Sequence, residues 1–314
     1  MFRILIIFLF INFTQSYAIV FRHDKDVSAY MNLAKQTEFD FVGELIKIDK
    51  GDIHFKNSII SSKILDTMSN NGTCELINKN WVITAAHLLT EEIKKDTSFI
   101  FEGHTYNSYV VLGEYIDNNN RYYVRLKNKI YEIDTIIINS KYLNTPDYPT
   151  RRSYDVALLR LKEPIQEIKP VKLYNQENEV GKVGYCVGWG YYNDAYSNNE
   201  KKGKLAGQNT IDSLLIFNNG MPDILECDFD CPQVTGICEN NIGNTEPLEL
   251  ECMTTGGDSG SGFIVSENSE LYLLGVSPSG GVVLEQFKKS GYYCHNFNFI
   301  RVSSLINWIN ESIK

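Results

Sequence analysis

The sequence predicts an all-β fold closed by one amphipathic helix. From Phe99 onward, β-branched and aromatic runs at Ser108–Leu112, Arg121–Lys127 and Tyr131–Ile138 are separated by Gly, Asn or Asp turns, the pattern of hairpins. A sustained helical period is confined to the C-terminal end, where Leu305, Ile306, Ile309 and Ile313 recur at helical spacing behind the N-cap candidates Ser303 and Ser304. With 314 residues, 43% hydrophobic and 22% charged, the chain has an ordinary globular composition that can bury one large core or two modest ones.

The first element reads as a targeting segment, residues 1–18. Arg3 supplies a positive start, Ile4 to Phe13 a short apolar stretch, and Ser16-Tyr17-Ala18 a small-x-small cleavage site. The apolar run is short of the ~20 residues a membrane span needs, so a secreted or periplasmic protein with no membrane anchor is expected once this segment is removed. Ile19-Val20 then follows directly, and Phe41 to Ile48 alternates as a strand. Asn57 to Asn71 is polar and irregular, and Gly72 to Ala86 makes a strand and turn ending at His87. Thr90 to Asp96 reads as a short polar helix or turn, and Tyr142 to Ser153 as a loop with two prolines. Tyr154-Asp155-Val156-Ala157-Leu158-Leu159-Arg160-Leu161 then sets an aspartate at the head of a buried strand. Pro164 to Pro170 bridges two halves, and Lys182 to Trp189 opens the second, with Gly188-Trp189-Gly190 as its landmark. A loop from Tyr191 to Gly207, a strand around Ile211 to Phe217, a cysteine-rich loop, and a strand pair at Gly262–Ser266 and Leu271–Ser277 complete it.

A net charge of -9 argues against a nucleic-acid partner, since no Lys/Arg-dense stripe faces phosphates. Seven cysteines in an exported chain permit up to three disulfides. Cys227, Cys231 and Cys238 cluster with Asp228 and Asp230; a metal site is one reading, and a local disulfide loop is the expected one in an exported chain.

Chemistry concentrates in Thr254-Thr255-Gly256-Gly257-Asp258-Ser259-Gly260-Ser261-Gly262, where one hydroxyl sits among glycines that let backbone N–H groups approach a carbonyl. A serine hydroxyl needs a histidine base and a carboxylate that orients it. Trp81-Val82-Ile83-Thr84-Ala85-Ala86-His87 and the strand headed by Asp155 provide both upstream. In the order His, Asp, Ser, these motifs resemble the chymotrypsin/trypsin family of serine proteases, over nearly the whole of residues 19–314.

The resemblance implies two six-stranded antiparallel β-barrels, about 19–163 and 171–301, followed by the terminal helix at about 303–314. It implies a monomeric serine endopeptidase acting on protein or peptide substrates without cofactor or metal, with His87, Asp155 and Ser259 as catalytic triad. Gly257 and Ser259 would form the oxyanion hole, and a new N-terminus at Ile19 would pair with Asp258. The family's primary-pocket aspartate is replaced at about Met253, so Met253 and Thr254 are expected to line a pocket that does not select Arg or Lys strictly. Glu251 is the nearby carboxylate that would reverse this if it folded back. Leu88 stands where the family has a half-cystine, and Gly275-Val276-Ser277-Pro278-Ser279-Gly280 replaces its Ser-Trp-Gly wall. The altered wall keeps open an inactive homologue acting as a binding protein.

Overall fold

The computed structural model describes residues 19–49, 70–101, 104–145, 147–196, 201–217, 221–232, 242–255, 257–278 and 292–314. The targeting segment expected at 1–18 lies outside them.

The first half contains β1 (Val20–Phe21), α1 (Val27–Ala34), β2 (Val42–Asp49), β3 (Asn70–Leu76), β4 (Trp81–Thr84), β5 (Thr90–Phe101), β6 (His104–Ile116), β7 (Asn120–Leu126), β8 (Lys129–Ile138), α2 (Ser140–Asn144), α3 (Tyr148–Arg152) and β9 (Ala157–Leu161). The second contains β10 (Lys172–Leu173), β11 (Val183–Asp194), β12 (Lys201–Thr210), β13 (Ser213–Leu215), β14 (Ile224–Asp228), β15 (Cys252–Met253), β16 (Gly262–Glu267), β17 (Glu270–Val276), β18 (Asn296–Arg301) and α4 (Ile306–Ser312).

Six strands close a barrel in the order β2-β3-β4-β9-β8-β7, with β7 returning to pair with β2 through Leu45 opposite Val124. The inward residues Leu45, Val82, Val124 and Leu159 are fully buried, as period-2 patterning requires. The second-half strands form a ten-stranded sheet, β13-β14-β18-β17-β16-β11-β1-β15, with β12 on β11 and β10 on β17, into which β1 from the start of the first half inserts between β11 and β15. It curls back on itself: Asp212 N donates to Glu226 O at 2.9 Å, and Asn209 Nδ2 to Asp228 O at 2.8 Å. Two of its short pairings, β1 with β11 and β10 with β17, are parallel. A closed barrel beside a curled half-barrel, with a short helix at the end, is the all-β architecture of the chymotrypsin-like fold. One apolar core fills the barrel and continues through Val187, Ile264 and Val276 of the second sheet, and another gathers Ile19, Val20, Tyr30, Phe229, Met253 and Phe263.

Several local expectations are corrected. Thr90–Asp96 is not a helix or turn but the start of β5, paired with β6 from Thr90 opposite Ile116 onward. Its residues from Glu91 to Ser98 are largely exposed, so this stretch has no buried face to impose an apolar alternation. Most of the expected loop Tyr191–Gly207 is strand, because the β11–β12 ladder continues to Tyr192 opposite Lys201. Its glycines mask the alternation. The expected loop Tyr142–Ser153 overlaps two one-turn helices, whose first amides are capped by Asn139 and by Asp147, with Pro149 at a helix start where its missing N–H costs nothing. Helix α1 was not foreseen; Asp26 caps it by accepting from Ser28 N at 2.7 Å. Ser303 and Ser304 do not cap the last helix: Ser303 Oγ donates to Glu179 at 2.9 Å, Ser304 Oγ accepts from Asp223 N at 3.3 Å, and residues Ser303–Leu305 wind as a 3₁₀ turn.

Cys74, Cys186, Cys227 and Cys252 are buried thiols outside any disulfide, so the local disulfide expected in the cysteine-rich loop is not formed between Cys227 and Cys231. Cys238 lies outside the described residues. Against Leu88 stands Gly72, where an added Cβ would come within 2.4 Å of Leu88 Cδ1, so this pair is packed by apolar contact.

Candidate active site

Strand pairing brings the histidine and the aspartate together. In the antiparallel β4–β9 ladder Thr84 faces Ala157, so the chain leaving β4 and the chain entering β9 emerge at the same end. His87 lies three residues beyond Thr84 on a 3₁₀ turn, Ala86–Leu89, and Asp155 two residues before Ala157. Asp155 grips the turn twice. Its Oδ1 accepts the His87 backbone N–H at 2.8 Å, and its Oδ2 stands 2.7 Å from His87 Nδ1. The Asp155 side chain is 1% exposed and that of His87 25%, so the imidazole keeps one open edge. That edge carries Nε2, 2.9 Å from Ser259 Oγ. With Nδ1 protonated toward the carboxylate, Nε2 accepts from the serine hydroxyl.

Burial disfavours the His87 cation, but the charge and hydrogen bond of Asp155, reinforced by Glu114, outweigh it and raise its pKa above the ordinary histidine value; Arg152 opposes them.

The serine is held from both halves of the molecule. Ser259 O accepts from Thr73 N of β3 at 2.9 Å, and Gly260 N donates to Ser277 O after β17 at 2.8 Å. Gly260 has φ 83 and leaves no room for a side chain: a Cβ there would lie 2.2 Å from Thr73 O and 2.3 Å from Thr84 Oγ1. Gly257, at φ 103, gives the loop its second left-handed turn. Gly256 lies outside the described residues.

Asp258 is fully buried. Its Oδ2 accepts from Thr255 N at 3.1 Å, while Oδ1 has no hydrogen-bond partner among the described residues. Burial pushes this carboxyl well above the usual range. A Cβ on Gly188 would lie 2.3 Å from Asp258 Oδ1, which explains the glycine in the Gly188-Trp189-Gly190 landmark. Ile19 is 1% exposed, and the next residue, Val20, is threaded between Asn193 of β11 and Met253 of β15.

Met253 and Thr254 are 3% and 5% exposed. Met253 shares its core with Phe297 and Phe299, whose rings meet edge-on at 5.8 Å. Glu251 turns elsewhere. Its two oxygens accept from Asp230 N at 2.7 Å and Leu248 N at 2.6 Å, and burial together with the Asp230 and Asp228 charges lifts its pKa to about 8.

A group that sequence reasoning missed lies behind the histidine. Glu114 of β6 is 8% exposed and bonds Thr90 Oγ1 and Arg151, and the Tyr142 hydroxyl meets the same Glu114 and Thr90. Nothing in the hairpin's polar sequence marks this carboxylate as inward-facing.

A sequence model of the family described as Trypsin matches residues 57–309. Among curated proteins the chain is similar to haptoglobin of Cervus elaphus, 24% identical over 76% of this chain and 53% of that protein. It is 27% identical to vitamin K-dependent protein C of Rattus norvegicus, over 76% and 45% respectively. It is 24% identical to kallikrein-1E2 of Equus caballus, over 76% and 78%. The matches thus span about half the length of the first two relatives.

Proposed function

Because the chain belongs to the trypsin family, we propose that it is an exported serine endopeptidase that cleaves protein or peptide substrates through an acyl-enzyme intermediate. The observation that carries this reading is the continuous hydrogen-bonded line from Asp155 through His87 to Ser259, at 2.7 and 2.9 Å. His87 takes the Ser259 proton as Oγ attacks the carbonyl, then delivers it to the leaving amine; a water molecule repeats the sequence to release the acid. Asp155 holds the tautomer and stabilises the imidazolium. The Gly257 and Ser259 amides face the developing oxyanion, each such donor contributing about 3 kcal/mol. Removal of 1–18 leaves a mature chain that begins at Ile19, and among the described residues no helix is long and apolar enough to cross a membrane.

The reading is tested by labelling with a fluorophosphonate probe. Stoichiometric modification of Ser259 is expected, with labelling that rises as pH passes a histidine pKa above the ordinary ~6.5. The replaced wall at Gly275-Val276-Ser277-Pro278-Ser279-Gly280 favours an alternative role, an inactive homologue that binds peptides without turnover; a folded protein that takes up no probe would overturn the enzyme reading in its favour.

Specificity is expected to be other than strictly basic. A desolvated substrate cation needs a carboxylate at the base of its pocket, and Glu251 is already committed to two backbone amides. A pocket lined, as the resemblance implies, by Met253 and its aromatic neighbours would instead favour an apolar side chain, worth roughly 1.5 to 3 kcal/mol when buried. A peptide-library profile is expected to show apolar or mixed selection at the cleaved position. Hundred-fold selection for Arg or Lys, lost on Glu251→Gln, would overturn this.

A further inference from the structure

We propose that Glu114, carried by the β5–β6 hairpin, is a positioning residue for the His87–Asp155 pair, acting through Arg151. The proposal rests on the endopeptidase reading above, but its geometry is independent of that reading. The hairpin starts one residue after the 3₁₀ turn that bears His87, and its base is pinned to that turn by Asp117 N donating to Leu89 O at 2.9 Å. Within the ladder Glu92 stands directly opposite Glu114. Two like charges so placed repel, and the arrangement is favourable only with a cation to share. Arg151 supplies it: its Nε is 3.4 Å from Glu114 Oε1 and its Nη2 3.9 Å from Glu92 Oε1. The Arg151 and Glu114 side chains are 3% and 5% exposed, so this is a buried pair rather than a surface bridge.

Arg151 is the penultimate residue of α3, and its carbonyl accepts from Tyr154 N at 2.9 Å in the turn that presents Asp155. Thr90, bonded to the other Glu114 oxygen, has its hydroxyl 3.4 Å from Ala86 O, next to His87. Glu114 therefore ties together the two backbone segments whose spacing sets the His87–Asp155 hydrogen bond, and small misplacements of such groups cost large factors in rate. The charged groups acting on His87 are Asp155, Glu114 and Arg152, with Ser259 as hydrogen-bond partner; those facing Glu114 are Arg151, Glu92 and the Thr90 and Tyr142 hydroxyls. Glu114 favours the imidazolium and Arg152 disfavours it, so loss of the Glu114 charge lowers the His87 pKa.

The test is Glu114→Gln, read by peptide hydrolysis against pH and by NMR titration of the His87 ring. The expected result is a roughly ten- to hundred-fold fall in kcat with little change in KM, an acid limb displaced to lower pH, and a matching downward displacement of the His87 titration. The NMR arm reports on Glu114 even in a protein that hydrolyses nothing, which separates failure of this inference from failure of the endopeptidase reading. If Glu114→Gln does not fold, Glu114→Gln with Arg151→Met removes both buried charges and leaves neither unpaired. That double variant is expected to fold and still to lose kcat. Lys95→Ala, on the exposed part of the same hairpin, is expected to leave kcat and the titration as they are. Wild-type kcat and His87 titration in folded Glu114→Gln, wild-type kcat in the double variant, or an equal effect from Lys95→Ala would each overturn the assignment.

Discussion

Ser259→Ala and His87→Ala are each expected to lower kcat about 10⁶-fold and to leave the protein folded. The three side chains act as one unit, so the double variant should be no worse than either single one. Folding survives because the nucleophile loop is held by backbone bonds that neither substitution touches: Ser259 O to Thr73 N at 2.9 Å and Gly260 N to Ser277 O at 2.8 Å. His87 likewise contributes its main-chain N–H to Asp155 whatever its side chain. Hydrolysis of a peptide substrate by purified variants, with circular dichroism and a thermal melt, checks both halves of the statement. Full turnover by Ser259→Ala would refute the assignment of the triad.

The second large effect is expected at the N-terminus. Active protein isolated after export should begin at Ile19, and an engineered form retaining several residues before it should lose about 10²- to 10⁴-fold in kcat/KM. The reason is Asp258: a fully buried carboxylate with one oxygen unpartnered among the described residues calls for a cation, and the family resemblance assigns that part to the α-amino group of Ile19, a residue itself 1% exposed. Removing one member of a buried pair costs roughly 3 to 5 kcal/mol, which is about two to four powers of ten in the population of the ordered loop. Without that cation Asp258 remains protonated, because burial holds its pKa well above the usual carboxylate range. Mass spectrometry of the active species gives the first residue directly, and full activity with the extension in place would defeat the idea.

Much of the site was legible because its determinants are local. Small residues at Ala85 and Ala86, the glycines around Ser259 and the apolar strand after Asp155 each impose a backbone geometry within a few residues, and such constraints leave a readable pattern. The C-terminal helix was legible for the same reason, through its period. Strands β5 and β12 were not, since one is exposed along Glu91–Ser98 and the other is interrupted by Gly203 and Gly207; their conformation is set by the partner strand. Glu251 was open between pocket base and structural role until the chain at Asp230 and Leu248 supplied its hydrogen bonds.

The sequence by itself determined the all-β class, the family resemblance and the residue types offered to the site, because period, turn chemistry and short glycine-rich motifs depend on near neighbours. Only the tertiary structure decided that His87, Asp155 and Ser259 meet within hydrogen-bonding distance, that Asp258 is buried with an oxygen unpartnered among the described residues, and that Glu114 reaches Arg151 behind the histidine. Those facts depend on which strands pair and in what register, so that residues 68 and 172 positions apart share one hydrogen-bond line. Burial and electrostatic partnership are properties of that assembled neighbourhood, and no single stretch of chain contains them.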